Sequence, residues 1–437
     1  MDKKLLIYSL NILKRYLFYT WSQTWDKARV EAYQDAKLKA LVTHAARNVP
    51  YYRNLFREVG IDPAAFRGRA DMHRIPLLDK DTLRRKKDEF RADNAESFGI
   101  NWDSTSGSTG TPLHFIVDDA AKANKLAGVI RSYQWGGYVP GKRTFSLQSY
   151  KFPVAGTLFK HFKYVNLWRF DSKRLKRETG LEILNMINTI KPHMIIGFPF
   201  SILMVSQFAR EEGIPLHPVR HIVTAGETLS ESRRRLIEQA YRGEVFDFYS
   251  SHESVVIISE CRQHTKHIHE DFSFCEVVDP SGNPVPDGEP GELVGTGFYN
   301  YGMPLIRYRT YDTIILEPGK RCSCGRQFRA VREIVGRQND YLETPDGRFL
   351  GNVLEHSVDN ARGVILSQCV QDAVDHIYIN MIVDDSYTEE SRTKFEEGLR
   401  LRLGNEIRID FRIVTELERA GSGKTPFILS KIGHSYI

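Results

Sequence analysis

Small hydroxyl and glycine residues crowd one short stretch of the chain, DSTSGSTGTP, which runs from Asp103 to Pro112. The residues with candidate roles in this loop are Thr105, Ser106, Gly107, Ser108, Thr109 and Gly110. A loop of this kind can donate backbone N–H and hydroxyl groups to a polyphosphate at little steric cost. It lacks the Gly-Lys-Ser/Thr ending of a P-loop, and a plain serine and glycine turn is the alternative interpretation.

Further motifs follow the loop in order and bring aromatic and charged side chains. YSSHE begins with Tyr249, whose ring could stack on a base, and ends with Glu253, whose carboxylate could hold Mg²⁺ near phosphates. RYRTYD ends in Asp312, which could accept hydrogen bonds from both hydroxyls of a ribose. GRQND contains Arg337, and ERAGSGK ends in Lys424. Taken singly, each is better explained as an exposed charged residue, so the prediction depends on their order.

The cysteines suggest a metal site. Its candidate ligands are Cys261, His267, Cys322 and Cys324. Three sulfurs and an imidazole make a closed, structural Zn²⁺ site if the fold joins the two segments. The alternative is unrelated thiols, and His264 and His269 compete with His267 as ligands. Cys275 and Cys369 lie in apolar runs and are predicted to be buried free thiols.

Composition narrows the class of protein. The 437 residues, 41% hydrophobic and 27% charged, predict an ordinary globular enzyme of two or three domains. A net charge of +6 suits anionic small molecules or anionic surfaces, and no nucleic-acid-binding motif is visible. Five cysteines and the lack of a cleavable signal peptide predict reduced thiols in the cytoplasm.

The first residues predict an amphipathic helix. Its apolar side chains recur at steps of three and four: Leu6, Leu10, Leu13, Leu17 and Trp21. One interpretation is a helix docked on the protein's own core. The other is a helix that lies on the inner face of a membrane, with aromatic and basic residues at the interface.

The pattern of elements predicts an α/β architecture. Helical patterns fill residues 25–94, after which HMIIGFP, HIVTAGE and EVFDFYSSHE each indicate a buried strand that ends in a loop. The helix before the last of these strands is predicted to begin at a Ser230 cap. Near the C-terminus, HIYINMIV and RIDFRIV indicate strands, with a helix between them opened by a capping box from Ser386 to Glu389.

We therefore predict a large N-terminal domain over residues 1–336 and a small α+β lid over residues 337–437. The large domain divides into three predicted parts, namely a helical N-terminus at 1–95, an α/β core at 96–260 and a turn-rich β subdomain with the metal site at 261–336.

As an ordered set, these motifs resemble the adenylate-forming superfamily of acyl-CoA synthetases, aryl-CoA ligases and peptide-synthetase adenylation domains. The resemblance runs from NVPYYR to Lys424. PLIRYRTYD, CSCGR and SECRQHTKHIHED are similar to the phenylacetate–CoA ligase branch, which shares the cysteine set. TPDGRFL and GKTPFILSKI are similar to its CapK-type, capsular-polysaccharide-associated members.

This resemblance implies ATP-dependent activation of a small carboxylic acid as an acyl-adenylate, followed by transfer to CoA, or to an amine or hydroxyl of a polysaccharide precursor. It implies that the Thr105–Gly110 loop holds the β- and γ-phosphates, Glu253 binds Mg²⁺ and Tyr249 lies beside adenine. Glu227, in TAGE, would line the nucleotide pocket, and Asp312, supported by Arg337, would hold the ribose. Lys424 would reach between the carboxylate and the α-phosphate. A degenerate nucleotide-binding scaffold at the membrane is a further alternative.

The sequence departs from the superfamily in three places, one of which, YSSHE, has Ser250 where glycine is usual as well as a change at His252. Leu113 stands where many relatives have a lysine, so that positive charge must come from elsewhere. His252 replaces a small hydroxyl residue and could contact substrate, and Asn339 replaces the common hinge aspartate.

Overall fold

The chain forms two compact units in a computed structural model. The structure describes residues 3–104, 113–148, 158–319, 321–337, 342–346, 349–350, 354, 361–419 and 425–432. Unit 1 comprises Met1–Val139 and Phe246–Ile334, and unit 2 comprises Pro140–Val245 and Val335–Ile437. The predicted phosphate loop from Thr105 to Gly110, Asn339 and Lys424 lie outside the described residues, as does the side chain of Arg337.

Unit 1 begins with helices, as the sequence predicts. Its α-helices are α1 (Lys3–Ser22), α2 (Lys27–Asn48), α3 (Pro50–Glu58), α4 (Lys80–Arg85), α5 (Lys87–Phe90) and α6 (Asp119–Trp135). Short 3-10 helices span Arg69–Arg74 and Ala95–Phe98. The helix α2 begins at Asp26, whose carboxylate accepts a hydrogen bond from the N–H of Arg29, and Pro50 opens α3 because its fixed φ suits a first helical position.

The strands of unit 1 are mainly antiparallel. They are β1 (Asn101–Ser104), β2 (His114–Val117), β8 (Glu244–Ser250), β9 (Ile257–Glu260), β10 (Lys266–Ile268), β11 (Ser273–Val278), β12 (Pro290–Gly297), β13 (Tyr308–Leu316) and β14 (Ala330–Arg337). Seven of these strands form a sheet in the order β11-β12-β13-β14-β10-β9-β8, and β1 pairs with β2 separately. β1 and β2, which pair antiparallel, precede and follow the Thr105–Gly110 segment in the chain.

A buried ion pair holds α1 against α6. Arg131, 1% exposed, donates to both carboxylate oxygens of Asp271, which is 0% exposed, at 2.6 and 2.8 Å. The same guanidinium donates to the carbonyl oxygen of Tyr19 at 3.0 Å and to Nδ1 of His269 at 2.7 Å. Ser22 donates its hydroxyl to Asp271 as well. Tyr19 and Ser22 therefore fix which face of α1 turns inward.

The leucine face of α1 points outward instead. Four large side chains on it are about half exposed: Leu10 55%, Leu13 51%, Leu17 58% and Trp21 52%. The helix thus docks on the protein as the first interpretation predicts, but it uses the opposite face. Sequence periodicity located the apolar face correctly, but it could not show whether that face packs on the protein or points outward.

Unit 2 contains a parallel sheet covered by helices. Its strands in this part are β3 (Thr144–Gln148), β4 (Phe159–Phe162), β5 (Leu167–Asp171), β6 (Met194–Gly197) and β7 (His221–Ala225), in the order β7-β6-β3-β5-β4. The α-helices are α7 (Arg177–Ile190), α8 (Pro199–Glu211) and α9 (Glu231–Tyr241), with 3-10 turns at Lys163–Val165 and Ser172–Arg174. Apart from the antiparallel edge strand β4, these strands pair in parallel, and β6 is buried throughout because such sheets are covered on both faces.

The C-terminal part of unit 2 is an α+β layer. The strands are β15 (Leu342–Glu343), β16 (Phe349–Leu350), β17 (Val364–Ala373), β18 (His376–Val383), β19 (Arg408–Ile413) and β20 (Ile428–Ser430), and the helix α10 spans Glu389–Leu403. The order β19-β18-β17-β20 forms one sheet, which α10 covers with Phe395, Leu399 and Leu403. Arg419 ties this layer to residues before it by donating to the carbonyl oxygens of Ser172 and Leu175 at 3.0 and 2.7 Å.

Most predicted elements are present, and one predicted cap is wrong. Ser230 does cap α9, accepting a hydrogen bond from the N–H of Arg233 at 3.2 Å. The capping box of α10 is formed by Thr388 and Ser391, and not by Ser386 and Glu389, because Ser386 instead donates its hydroxyl to Asp384 in the preceding turn. The buried free thiols Cys275 and Cys369 are confirmed.

The predicted division into residues 1–336 and 337–437 stays a prediction. The two compact units do not follow the chain in that way, since residues 335–437 group with 140–245. No helix among the described residues is long and apolar enough to cross a bilayer.

Replacing Arg131 with methionine should destabilise unit 1 strongly. The change leaves the buried Asp271 carboxylate without its cation, a loss of about 3–5 kcal/mol in the free energy of unfolding. Urea unfolding followed by tryptophan fluorescence measures it. The control is Lys394→Gln, which breaks an exposed pair with Glu390 and should leave the midpoint where it is. Equal midpoints for both variants would contradict the role of the buried pair.

Candidate active site

Glu253 lies in a tight turn between β8 and β9 in unit 1. Ser251 shapes the turn, since its hydroxyl accepts hydrogen bonds from the N–H groups of Val255 and Val256, both at 3.0 Å. Ser254 adopts a left-handed conformation with φ of 63°, which lets the chain reverse. The turn leaves the Glu253 side chain only 7% exposed.

Two glycines of β12 allow this turn to pack closely. A Cβ atom at Gly295 would lie 2.7 Å from the carbonyl oxygen of Val255, and one at Gly297 would lie 2.9 Å from that of Ser254. Both separations are shorter than an ordinary carbon–oxygen contact, so a side chain at either position would push the Glu253 turn away.

An irregularity in β13 positions Asp312. Arg309 pairs with Val294 and Thr313 with Glu292, so β13 carries extra residues between these two points of register. Tyr311, within the bulge, has a φ of 61°. Thr310 secures it by donating its hydroxyl to the carbonyl oxygen of Leu293 at 2.6 Å. Bulges re-aim side chains in this way, and the carboxylate of Asp312, 8% exposed, turns toward β8.

Two tyrosine hydroxyls connect these motifs. Tyr249 donates to Oδ2 of Asp312 at 2.6 Å, and Tyr308 donates to Oε1 of Glu253 at 2.8 Å. Tyr308 and Asp312 come from β13, whereas Tyr249 and Glu253 come from β8 and its turn. The structure therefore brings together Tyr249, Glu253 and Asp312, each singled out in the sequence, and orients two carboxylates with phenolic hydroxyls.

A lysine not singled out in the sequence also lies at this turn. Lys125, on α6, donates from Nζ to the carbonyl oxygen of His252 at 2.7 Å. Burial lowers the pKa of Lys125, while the negative charges of Glu253 and Asp103 oppose the shift. Nε2 of His252 lies 3.2 Å from Oδ1 of Asp103, a residue of β1. The Lys125 ammonium group therefore lies at the Glu253 turn and close enough to Asp103 to interact with its charge.

In unit 2, Glu227 bridges two segments that are distant in the chain. It follows β7 after Gly226, whose φ of 80° suits glycine. Oε2 of Glu227 accepts from the N–H of Phe200 at 3.1 Å, at the first turn of α8, where a carboxylate is stabilised by the helix dipole. Oε1 accepts from the N–H of Thr425 at 2.7 Å. Glu227 thus holds the residue that directly follows Lys424.

The four candidate metal ligands meet in unit 1. The ligand atoms of Cys261, His267, Cys322 and Cys324 all lie within 4.8 Å of one another. Sγ of Cys261 is 3.7 Å from Sγ of Cys322, and Sγ of Cys324 is 3.4 Å from Nε2 of His267. A tetrahedral Zn²⁺ site has edges of about 3.8 Å between sulfurs and about 3.6 Å between sulfur and nitrogen. The Cys261–Cys322 and Cys324–His267 separations are close to those edges.

The surroundings of these residues suit a metal as well. Nδ1 of His267 is 3.1 Å from the carbonyl oxygen of Phe328, a partner that leaves Nε2 facing the sulfurs. Burial raises the pKa of the Cys261 thiol to about 12, so a nearby positive charge is needed to keep it as the thiolate that binds metal. The competing histidines are engaged elsewhere, His264 with Glu260 at 3.0 Å and His269 with Arg131.

Sequence reasoning missed Tyr308 and Lys125. Tyr308 had a readable signal, because it lies four residues before Asp312 on a strand, where alternate residues share a face. Lys125 lies in an ordinary helical pattern and had none.

Comparison with known proteins finds similarity to phenylacetate–coenzyme A ligases and to protein CapK. Residues 342–431 match the family described as the CapK C-terminal domain. The chain is 28% identical to a phenylacetate–coenzyme A ligase of Thermus thermophilus over 73% of each chain. It is 22% identical to protein CapK of Staphylococcus aureus over 91% of this chain and 89% of that one.

Solved structures show the fold. A 2-hydroxyisobutyryl-CoA ligase, solved in its postadenylation state with a bound acyl-AMP, superposes with a TM-score of 0.78 at 19% identity. The match covers 94% of this chain and 91% of that ligase. The fold is therefore that of the adenylate-forming CoA ligases, and the predicted mixed α/β architecture with a C-terminal α+β part is confirmed.

Replacing Tyr308 with phenylalanine should loosen the Glu253 turn. The change removes a buried hydrogen bond and leaves a carboxylate oxygen short of a donor, so we expect a loss of about 1–3 kcal/mol in the free energy of unfolding. Urea unfolding tests this. Tyr164→Phe removes the same hydroxyl from a fully exposed ring and should change nothing. If both variants unfold at the same urea concentration, Tyr308 does not support the turn.

Proposed function

We propose that this chain, a homologue of phenylacetate–CoA ligases and of CapK with the fold of the adenylate-forming ligases, is an ATP-dependent acid ligase. It joins a carboxylic acid to AMP, releases pyrophosphate, and then transfers the acyl group to CoA. The observation that carries the proposal is the pair of contacts by which Tyr249 meets Asp312 and Tyr308 meets Glu253. They unite the motifs that the family uses for ribose and phosphate.

In the first half-reaction, a carboxylate oxygen of the acid attacks the α-phosphorus of ATP, and the bond to the β-phosphate oxygen breaks. Two anions must approach each other, so cations and fixed dipoles contribute most to the rate. Asp312 accepts hydrogen bonds from the ribose, and Tyr249 lies beside the base. Glu253 would hold Mg²⁺, which when bound neutralises charge on the phosphates.

The hydroxyl and glycine loop from Thr105 to Gly110 donates hydrogen bonds to the β- and γ-phosphates in this proposal. Many relatives have a lysine at the position of Leu113. In this chain Lys125 supplies that positive charge instead. Support comes from its contact with the His252 carbonyl oxygen and from the carboxylates of Asp103 and Glu253 around it.

Lys424 places its ammonium group between the acid and the α-phosphate, a task that suits a compact point charge. Support comes from Glu227, which binds the N–H of the next residue, Thr425, and so restrains the backbone beside Lys424. We assign Glu227 this restraining role at the nucleotide pocket, and Arg337 the role of supporting the ribose.

In the second half-reaction, the CoA thiol attacks the acyl carbonyl carbon and AMP leaves. A second candidate acceptor is an amine or hydroxyl of a polysaccharide precursor. The match of residues 342–431 to the CapK C-terminal domain favours this alternative, because that part of the chain resembles the capsule-associated members. A cytoplasmic location stays a prediction.

The cysteine and histidine cluster is proposed to hold a structural Zn²⁺. Three sulfurs and one imidazole fill a tetrahedral site, which leaves no position for a substrate. The ion would join the β9–β10 hairpin, through Cys261 and His267, to the loop of Cys322 and Cys324 before β14. Because β9 begins just after the Glu253 turn, the metal would also stiffen that turn.

Carboxylate-dependent exchange between ATP and pyrophosphate tests the function, with aryl, fatty, amino and sugar acids offered without an acceptor. We expect exchange with one class of acid. Lys424→Ala should lower the exchange rate at least about 100-fold, since it removes a charge used mainly in the transition state. ATP binding and thermal stability should not change.

The control is Lys394→Ala, an exposed lysine of α10, which should keep full exchange. Turnover unaltered in Lys424→Ala would overturn the assigned role. ATP binding without exchange for any acid would favour the scaffold alternative.

Metal analysis and thermal melting test the zinc site. The purified protein should contain about one zinc per chain, and prolonged chelation should lower its melting temperature. Cys322→Ser should lose the metal, whereas Cys369→Ala, which changes a buried thiol of unit 2, should retain it. A wild-type protein without zinc would remove this part of the proposal and leave the ligase activity untouched.

A further inference from the structure

The outward face of α1 forms an apolar stripe, which consists of Leu10, Leu13, Leu17 and Trp21. At about 100° per residue these side chains fall within an arc of about 80° around the helix axis. The buried Tyr19 lies on roughly the opposite side of the helix. Each is more than half exposed. The stripe extends over about 11 residues, or about 16 Å along the helix axis.

The orientation of the stripe is fixed by the structure behind it. The ion pair of Arg131 with Asp271 holds the carbonyl oxygen of Tyr19 and the hydroxyl of Ser22. Tyr16, on the same inward side, donates its hydroxyl to Gln134 on α6 at 2.5 Å. The helix cannot turn its leucines inward without breaking these buried contacts, so the stripe is a built surface of unit 1.

The charge around the stripe is positive. The sequence of α1 contains no acidic residue. Of its basic residues, Arg15 is turned toward the buried ring of Tyr299, 5.3 Å from the ring centre. Lys14 is exposed and lies next to the stripe. At the far end, the guanidinium of Arg29 lies 4.3 Å from the ring centre of Trp21.

Two acidic residues near that far end, Asp26 and Glu31, are already engaged. Asp26 caps α2 by accepting from the N–H of Arg29, and Glu31 lies 3.2 Å from Arg69 and 3.9 Å from Lys27. The side chain of Lys27 is itself 80% exposed. The surface therefore combines a narrow apolar stripe, a tryptophan at one end and basic side chains beside it.

We propose that the stripe binds the surface of an anionic lipid bilayer, with α1 lying parallel to the membrane plane. Leucine side chains would enter the acyl boundary, Trp21 would lie at the headgroup level, and the basic residues would face lipid phosphates. A second copy of this chain fits less well, because two such helices would bring like charges together. This proposal does not depend on the ligase activity.

Vesicle sedimentation tests it, with the full chain and two kinds of vesicle: phosphatidylcholine alone, and phosphatidylcholine with about one third phosphatidylglycerol. We expect the wild type to sediment with the anionic vesicles about tenfold more than with the neutral ones. Leu17→Glu should reduce that binding about tenfold, because it places a charge in the stripe. Raising the salt concentration should weaken binding as well.

Asn11→Glu is the matched control. It adds the same charge to the same helix, but Asn11 lies on an exposed side away from the stripe, so most of the binding should remain. Leu13→Ala with Leu17→Ala, which adds no charge, should also lose binding while keeping the wild-type melting temperature.

Three results would overturn the proposal. They are no sedimentation of the wild type with anionic vesicles, equal sedimentation of Leu17→Glu and wild type, and equal loss in Asn11→Glu and Leu17→Glu. A dimer in analytical ultracentrifugation that Leu17→Glu dissociates, without vesicle binding, would assign the stripe to self-association instead.

Discussion

Two carboxylates, Glu253 and Asp312, are held nearly buried, and the arrangement of the surrounding strands of unit 1 depends on how they are stabilised. A buried carboxylate is stable only where hydrogen-bond donors meet it, and here the donors are the hydroxyls of Tyr308 and Tyr249. Tyr249 on β8 reaches Asp312 on β13, and Tyr308 on β13 reaches Glu253 in the turn after β8. The two contacts therefore lock β13 to the turn after β8, and neither carboxylate can be placed without the other element.

The backbone around this pair is shaped for it. The extra residues in β13 turn Asp312 toward β8, and Gly295 and Gly297 in β12 let the Glu253 turn approach within contact distance. These features weaken a regular sheet, since a bulge interrupts the ladder and glycine adds no packing. Their presence at one place in the sheet indicates that the arrangement of the carboxylates, and not the regularity of the strands, determined the local structure.

The two ends of β9 adjoin different features. The Glu253 turn precedes this strand, and the cluster of Cys261, His267, Cys322 and Cys324 begins where it ends. On the other side of the cluster lies the aromatic region where Trp25, Trp135 and Phe328 pack together with Cys261. Packing at one end of β9 thus supports a polar turn at the other end. The helix α1, held by the Arg131 and Asp271 pair, adds a separate surface whose chemistry is unrelated to that turn.

The sequence by itself determined the order of the motifs, the strands that end in them, the α/β class and the four residues of the cysteine and histidine cluster. These follow from local patterns, such as the period of apolar residues and the spacing of cysteines, which any fold must accommodate. Tertiary structure alone decided that Tyr308 and Lys125 lie at the Glu253 turn, because these contacts join segments far apart in the chain. It also decided that Glu227 binds the backbone of Thr425 and that the leucines of α1 face outward. Periodicity defines an apolar face, but only the positions of Arg131 and Asp271 determine which side of the helix is buried.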